Sequence, residues 1–107
     1  MRSVEFLYDL DSDNAMRVRF ETTRGRVEDF VVQLECVFKG KPQPVVRYDT
    51  AHGYAHRDDL HPFEAEKKTD LHTTDYNRVL NFAINDIKQN WHKYRRRYEQ
   101  WLTPDAE

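Results

Sequence analysis

The sequence predicts an α+β fold, an antiparallel β-meander of three to five strands packed against one long C-terminal α-helix. Two observations carry that expectation. Apolar residues recur at every second position from Met16 to Phe20 and again from Phe30 to Phe38, and from about Thr73 the spacing changes to steps of three and four that persist to Leu102. A length of 107 residues fits one core and one domain, without disulfides or a structural metal.

At the start, Val4, Phe6, Tyr8 and Leu10 alternate around Glu5 and Asp9 until Asp11-Ser12-Asp13-Asn14 stops the run. Leu7 interrupts the polar face, so residues 1–15 read either as a first strand or as a semi-detached arm that pairs with a neighbour. Val18, Phe20 and Thr22 then alternate with Arg17, Arg19 and Glu21, and Arg24-Gly25-Arg26 turns the chain. The next strand places Phe30, Val32, Leu34, Cys36 and Phe38 on one face. A second hairpin turn, Lys39-Gly40-Lys41-Pro42, leads into a strand at about Pro44 to Asp49. Tyr54 to Asp58 suits a further strand, and Glu64 to Thr69 reads as loop or a short edge strand.

Residues 16–72 thus form a sheet with a histidine-bearing loop, and residues 73–102 a long amphipathic helix. Leu80, Ile84, Ile87, Trp91, Tyr94, Tyr98 and Trp101 mark the apolar stripe of that helix. Thr73, Thr74 or Asp75 can cap its start, and Pro104 lies past its end. At 1.5 Å per residue it spans roughly 40 Å.

Composition narrows the function classes. Charged residues make up 34% of the chain and the net charge is −2, so there is no global pull toward nucleic acid or anionic lipid, and any such site must be local. The lone Cys36 forms no intrachain disulfide and points to a reducing compartment. No apolar run matches a membrane span and no leader pattern opens the chain, so a cytoplasmic protein with no membrane partner is expected.

The chemically capable side chains cluster between Val45 and Asp58. His52 and His56 are four apart, with Asp49, Asp58, Asp59 and His61 as further donors, but no Cys pair or HExxH accompanies them. A metal centre therefore ranks last, and no cofactor is expected. A metal-free alternative uses one histidine as general base and the other as general acid, as needed for an RNA 2′-hydroxyl to attack its own phosphodiester. Arg47 or Arg57 would stabilise the phosphorane, Asp49 would orient one histidine, and Tyr48 or Tyr54 would stack on a base or donate a proton. An extended chain puts His52, Tyr54, His56 and Asp58 on one face.

A basic cluster follows late in the helix, where Lys88, His92, Arg95 and Arg96 share a side and would contact phosphates if that end of the helix met the histidine window. Cations near a helix C-terminus also simply favour the macrodipole. The aromatics Tyr94, Tyr98 and Trp101 either cover the chain's own sheet or meet a second copy in a homodimer through the helix.

In the run Val46-Arg47-Tyr48-Asp49-Thr50-Ala51-His52-Gly53, followed by His56 and His61, the chain resembles the small TumE-type toxins of toxin–antitoxin pairs. The resemblance follows the order of elements from Met16 to Trp101 and matches specific residues only from Arg47 to His61. It implies growth inhibition through RNA, neutralisation by a helix-turn-helix antitoxin, and roles for Arg47, Tyr48, Asp49, His52 and His56. Thr50, where that family often has Asn, and the acidic N-terminal segment depart from it. The leading expectation is a toxin-like, metal-independent endoribonuclease using the His52/His56 pair. Its rival is a non-enzymatic module that binds protein or nucleic acid, in which the sheet edge and the Trp91 to Trp101 segment bind a partner.

Overall fold

A computed structural model describes residues 1–103. Pro104, the expected helix stop, lies outside the described residues. The elements are β1 (Arg2–Asp9), β2 (Asn14–Thr23), β3 (Arg26–Phe38), β4 (Lys41–Asp49), β5 (His56–Asp59), β6 (Lys67–Asp70) and α1 (Tyr76–Leu102). They form the expected α+β arrangement, with one antiparallel sheet in chain order β1-β2-β3-β4-β5-β6 and a single long C-terminal helix.

The sheet has six strands among the described residues, where three to five were expected. The first fifteen residues are no detached arm, because β1 pairs with β2 along its whole length, from Arg2↔Thr22 to Asp9↔Ala15. The polar segment Lys67–Asp70 becomes a short edge strand on β5. β5 itself begins at His56 rather than Tyr54, because Ala51–Gly53 folds into a 3-10 turn.

Both inner hairpins close with two residues at positive φ, Arg24 (54°) with Gly25 (76°) and Lys39 (51°) with Gly40 (79°). That is the type I′ geometry, whose twist matches the strands it joins and which glycine adopts without steric cost. Between β3 and β4 the register shifts at Leu34/Glu35, and the additional residue Val45 is buried there.

The helix starts where Asp75 accepts a hydrogen bond from the Arg78 amide at 3.2 Å. It lies across β2, β3 and β4. Val79, Ala83, Ile87, Trp91, Tyr94 and Tyr98 form one core with Met16, Val18, Phe30, Val32, Leu34, Val46 and Tyr48. Each large apolar side chain buried this way contributes roughly 1.5–3 kcal/mol before its ordering entropy is counted. Tyr94 and Tyr98 are thus buried against the chain's own sheet, and Trp101 packs against His61 with ring centroids 4.5 Å apart and the planes tilted by 31°.

No helix among the described residues is long and apolar enough to cross a membrane. The opposite face of the sheet is polar. Arg17 donates to Glu35 at 2.8 Å, Gln33 donates to Glu35 at 2.8 Å, and Arg47 donates to Gln33 at 2.7 Å.

Candidate functional site

The histidine window is built by strand parity. Successive residues of β4 point to opposite faces, so Tyr48 enters the core under α1 while Asp49 points to the helix-free face. Pairing of β4 with β5 sets Asp49 opposite His56 and Arg47 opposite Asp58, which brings Asp49, His56 and Asp58 together on that face. His56 Nε2 lies 2.7 Å from Asp49 Oδ1 and 3.6 Å from Asp58 Oδ2, and its Nδ1 lies 3.2 Å from the Tyr54 carbonyl. Both ring nitrogens therefore face acceptors.

Lys68 Nζ donates to Asp58 Oδ1 at 2.9 Å, so this carboxylate has a cation partner of its own. The His56 side chain is only 1% exposed. Asp49 also accepts from the Ala51 amide at 3.2 Å, and Thr50 Oγ1 accepts from the Phe30 amide at 3.1 Å. These bonds hold the turn in which His52 sits exposed at φ 70°. The His52 ring centroid is 6.3 Å from that of His56, and the Tyr54 ring is 5.0 Å from it.

Asp49, His56 and Asp58 offer donor atoms within 4.8 Å of one another, a chemically reasonable set for a divalent cation. Each donor already has a protein partner, and a cation would have to displace the His56 proton and Lys68. The wider donor set suggested by spacing does not assemble. Asp59 faces the helix, where it binds Arg57 and Arg97, and His61 accepts from the Phe63 and Glu64 amides.

Beneath the helix lies a second polar network. Tyr48 and Tyr94 both donate to Asp86 at 2.8 Å, and Arg57 Nη1 donates to both tyrosine hydroxyls at 3.3 Å. Arg57 Nη2 and Arg97 Nη2 each reach Asp59 Oδ1 at 2.7 Å. Burial pushes the Tyr48 hydroxyl well above its ordinary range, and its bond to Asp86 adds to the shift. For Asp59, burial acts to raise the carboxyl, but Arg57 and Arg97 together outweigh it and hold it below its ordinary value. Tyr48 and Arg57, expected to contact substrate, are engaged inside the protein. Asp86 and Asp59 went unrecognised as their partners, because no local pattern marks residues that meet across the sheet and helix.

Arg95 of the basic cluster lies toward the other end of the sheet from the histidine turn. Thr50 meets the start of β3 at Phe30, whereas Arg95 donates to the Val37 carbonyl near its end at 2.9 Å, a separation of roughly 23 Å along the strand. Arg95 also donates to Asn14 at 2.6 Å and covers the Phe38 ring at 4.4 Å. Lys88 sits over the Tyr8 ring at 4.3 Å, and His92 is exposed and stacked on Trp91 at 3.6 Å. Arg96 is exposed. A cleft of about 890 Å³ at this end is lined by Phe38, Lys39, Lys41, Phe63 and Tyr98 together with Asp13 and Glu99, so its charge is mixed.

These features define an α+β meander domain whose helix-free face carries a hydrogen-bonded Asp-His-Asp-Lys cluster and whose helix side carries a Tyr-Arg-Asp network. The chain belongs to the family described as a domain of unknown function, DUF7718, whose model matches residues 1–104. No curated protein and no solved structure matches it.

Proposed function

We propose that this protein is a non-enzymatic interaction module whose working surface is the free edge of β1. One observation carries the reading. Among the described residues β1 has a strand partner on one side only, and it exposes Phe6 (41%), Leu7 (50%) and Tyr8 (42%) on its two faces. A long apolar edge strand is a template for another strand unless something covers it. The groups suited to catalysis are engaged elsewhere: His56 is buried with acceptors at both nitrogens, and Tyr48 and Arg57 bind Asp86 and Asp59. The free, buried Cys36 suits a reducing cytoplasm.

A toxin-like ribonuclease, held in check by a helix-turn-helix antitoxin, is the second reading. It is favoured by His52, an exposed imidazole at φ 70° beside Tyr54, since backbone strain concentrates at functional sites. On that reading His52 exchanges protons with RNA, and His56 acts only by positioning the turn.

Incubation of the purified chain with total RNA near neutral pH separates the two. The module reading expects intact RNA. Cleavage that disappears in a folded His52→Ala variant would overturn it in favour of the ribonuclease.

A further inference from the structure

The two edges of the sheet differ in kind. β6 is four residues long, solvent-exposed at each position, and carries Lys67, Lys68 and Asp70. Charge and shortness of this kind deter pairing with another chain. β1 is eight residues long and carries an apolar stripe on the helix side, Val4, Phe6 and Tyr8, with Leu7 on the other face. Because α1 packs on β2, β3 and β4, this stripe lies at the margin of the helix, which reaches it with Lys88 over the Tyr8 ring and leaves Phe6 and Tyr8 about two-fifths exposed.

We infer that β1 pairs antiparallel with β1 of a second copy of this chain, about a two-fold axis through Phe6. The inference rests on the module reading and names its partner. A two-fold axis normal to the sheet leaves each side chain on its own face, and directly opposed residues of an antiparallel pair share a face. The axis must therefore pass through a residue facing its own copy. Centred on Glu5, the pairing would set two carboxylates face to face. Centred on Leu7, it would oppose Glu5 to Asp9.

Centred on Phe6, it opposes Phe6 to Phe6, Val4 to Tyr8, Glu5 to Leu7 and Ser3 to Asp9, with no like charges directly opposed. Glu5 keeps Arg19 as its neighbour on β2. On the helix side, Val4, Phe6 and Tyr8 of both copies then form one continuous apolar stripe between the two helices.

Sedimentation of the full chain over a wide concentration range, with engineered cysteines, tests the arrangement. Wild type is expected to reach the mass of two chains, and Phe6→Lys to return to one with an unchanged far-ultraviolet spectrum. Under mild oxidation Phe6→Cys cross-links to itself, because Cβ atoms of opposed residues lie about 4.5–5.5 Å apart. Glu5→Cys does not, since its copy lies diagonally about 7–8 Å away. Native Cys36 is buried in the core and does not interfere. The cysteine pair keeps the test decisive if Phe6→Lys fails to fold.

A one-chain mass at every concentration overturns the inference, as does a dimer indifferent to Phe6→Lys, or Glu5→Cys cross-linking in place of Phe6→Cys. A one-chain mass with intact RNA removes only the second copy. RNA cleavage dependent on His52 removes the module reading itself.

Discussion

The Nε2 of His56 lies 2.7 Å from Asp49 Oδ1 across the β4–β5 ladder, in a position where the imidazole is shielded from solvent. Its Nδ1 is occupied by the Tyr54 carbonyl, and the Asp58 carboxylate stands 3.6 Å away. A histidine held this way anchors the turn that follows β4 and has no free nitrogen for a reacting proton. The neighbouring His52 is exposed and is the member of the pair open to solvent.

His56→Ala should therefore cost about 3–5 kcal/mol in urea unfolding, because Asp49 and Asp58 are left buried without their shared partner. His52→Gly should stabilise the protein by about 0.5–1 kcal/mol, as glycine accepts positive φ without the Cβ penalty. Equal and small effects of the two changes would show that the Asp49–His56 contact is not what holds the turn.

Stability should fall in acid through Asp59. Its folded carboxyl titrates below the ordinary value of 3.8, so the unfolded chain takes up protons first as pH drops. Its contribution is complete above the unfolded value, near pH 4, and is lost as pH falls through the lower folded one. Asp59→Asn should remove about 2–3 kcal/mol at pH 7 and flatten the acid limb of a stability profile. An unchanged acid limb would mean that other carboxylates carry it.

Cys36 should resist thiol reagents in the native state. Burial pushes its thiol up to about 12, which leaves roughly one part in ten thousand as thiolate at pH 8. Labelling by a disulfide reagent should then follow unfolding and accelerate with urea. Rapid stoichiometric labelling of folded protein would contradict a closed core at β3.

Asp86 couples the sheet to the helix, and a mutant cycle measures how strongly. Tyr48→Phe and Tyr94→Phe should each cost about 1–2 kcal/mol, since each removes one hydroxyl donor from the carboxylate. Together they leave Asp86 with Asn90, which donates to Oδ1 at 2.8 Å, and with the Arg57 guanidinium 3.7 Å from Oδ2. The double mutant should exceed the sum of the singles by at least about 0.5 kcal/mol. Strict additivity in thermal or urea unfolding would show that the two hydroxyls act independently.

Periodicity along the chain determined the kind and order of the elements. Alternation in Val4 to Leu10 and in Met16 to Phe38 marked strands, Arg24-Gly25 and Lys39-Gly40 marked tight turns, and the stripe from Leu80 to Trp101 marked the helix, because side-chain period is a local property of the backbone. β6 was ambiguous for the same reason, since Lys67–Asp70 has no apolar alternation and is a strand through its ladder with β5.

The histidine window was legible as a cluster of capable side chains, but its roles were not. Only the pairing of β4 with β5 and the docking of α1 decided that Asp49 and Asp58 would close on His56, that Tyr48 and Arg57 would turn inward to Asp86 and Asp59, and that Arg95 would lie toward the far end of the sheet. Those contacts join residues far apart in sequence. Parity tells each residue which face it takes, but the group it meets there is set by long-range register and helix placement.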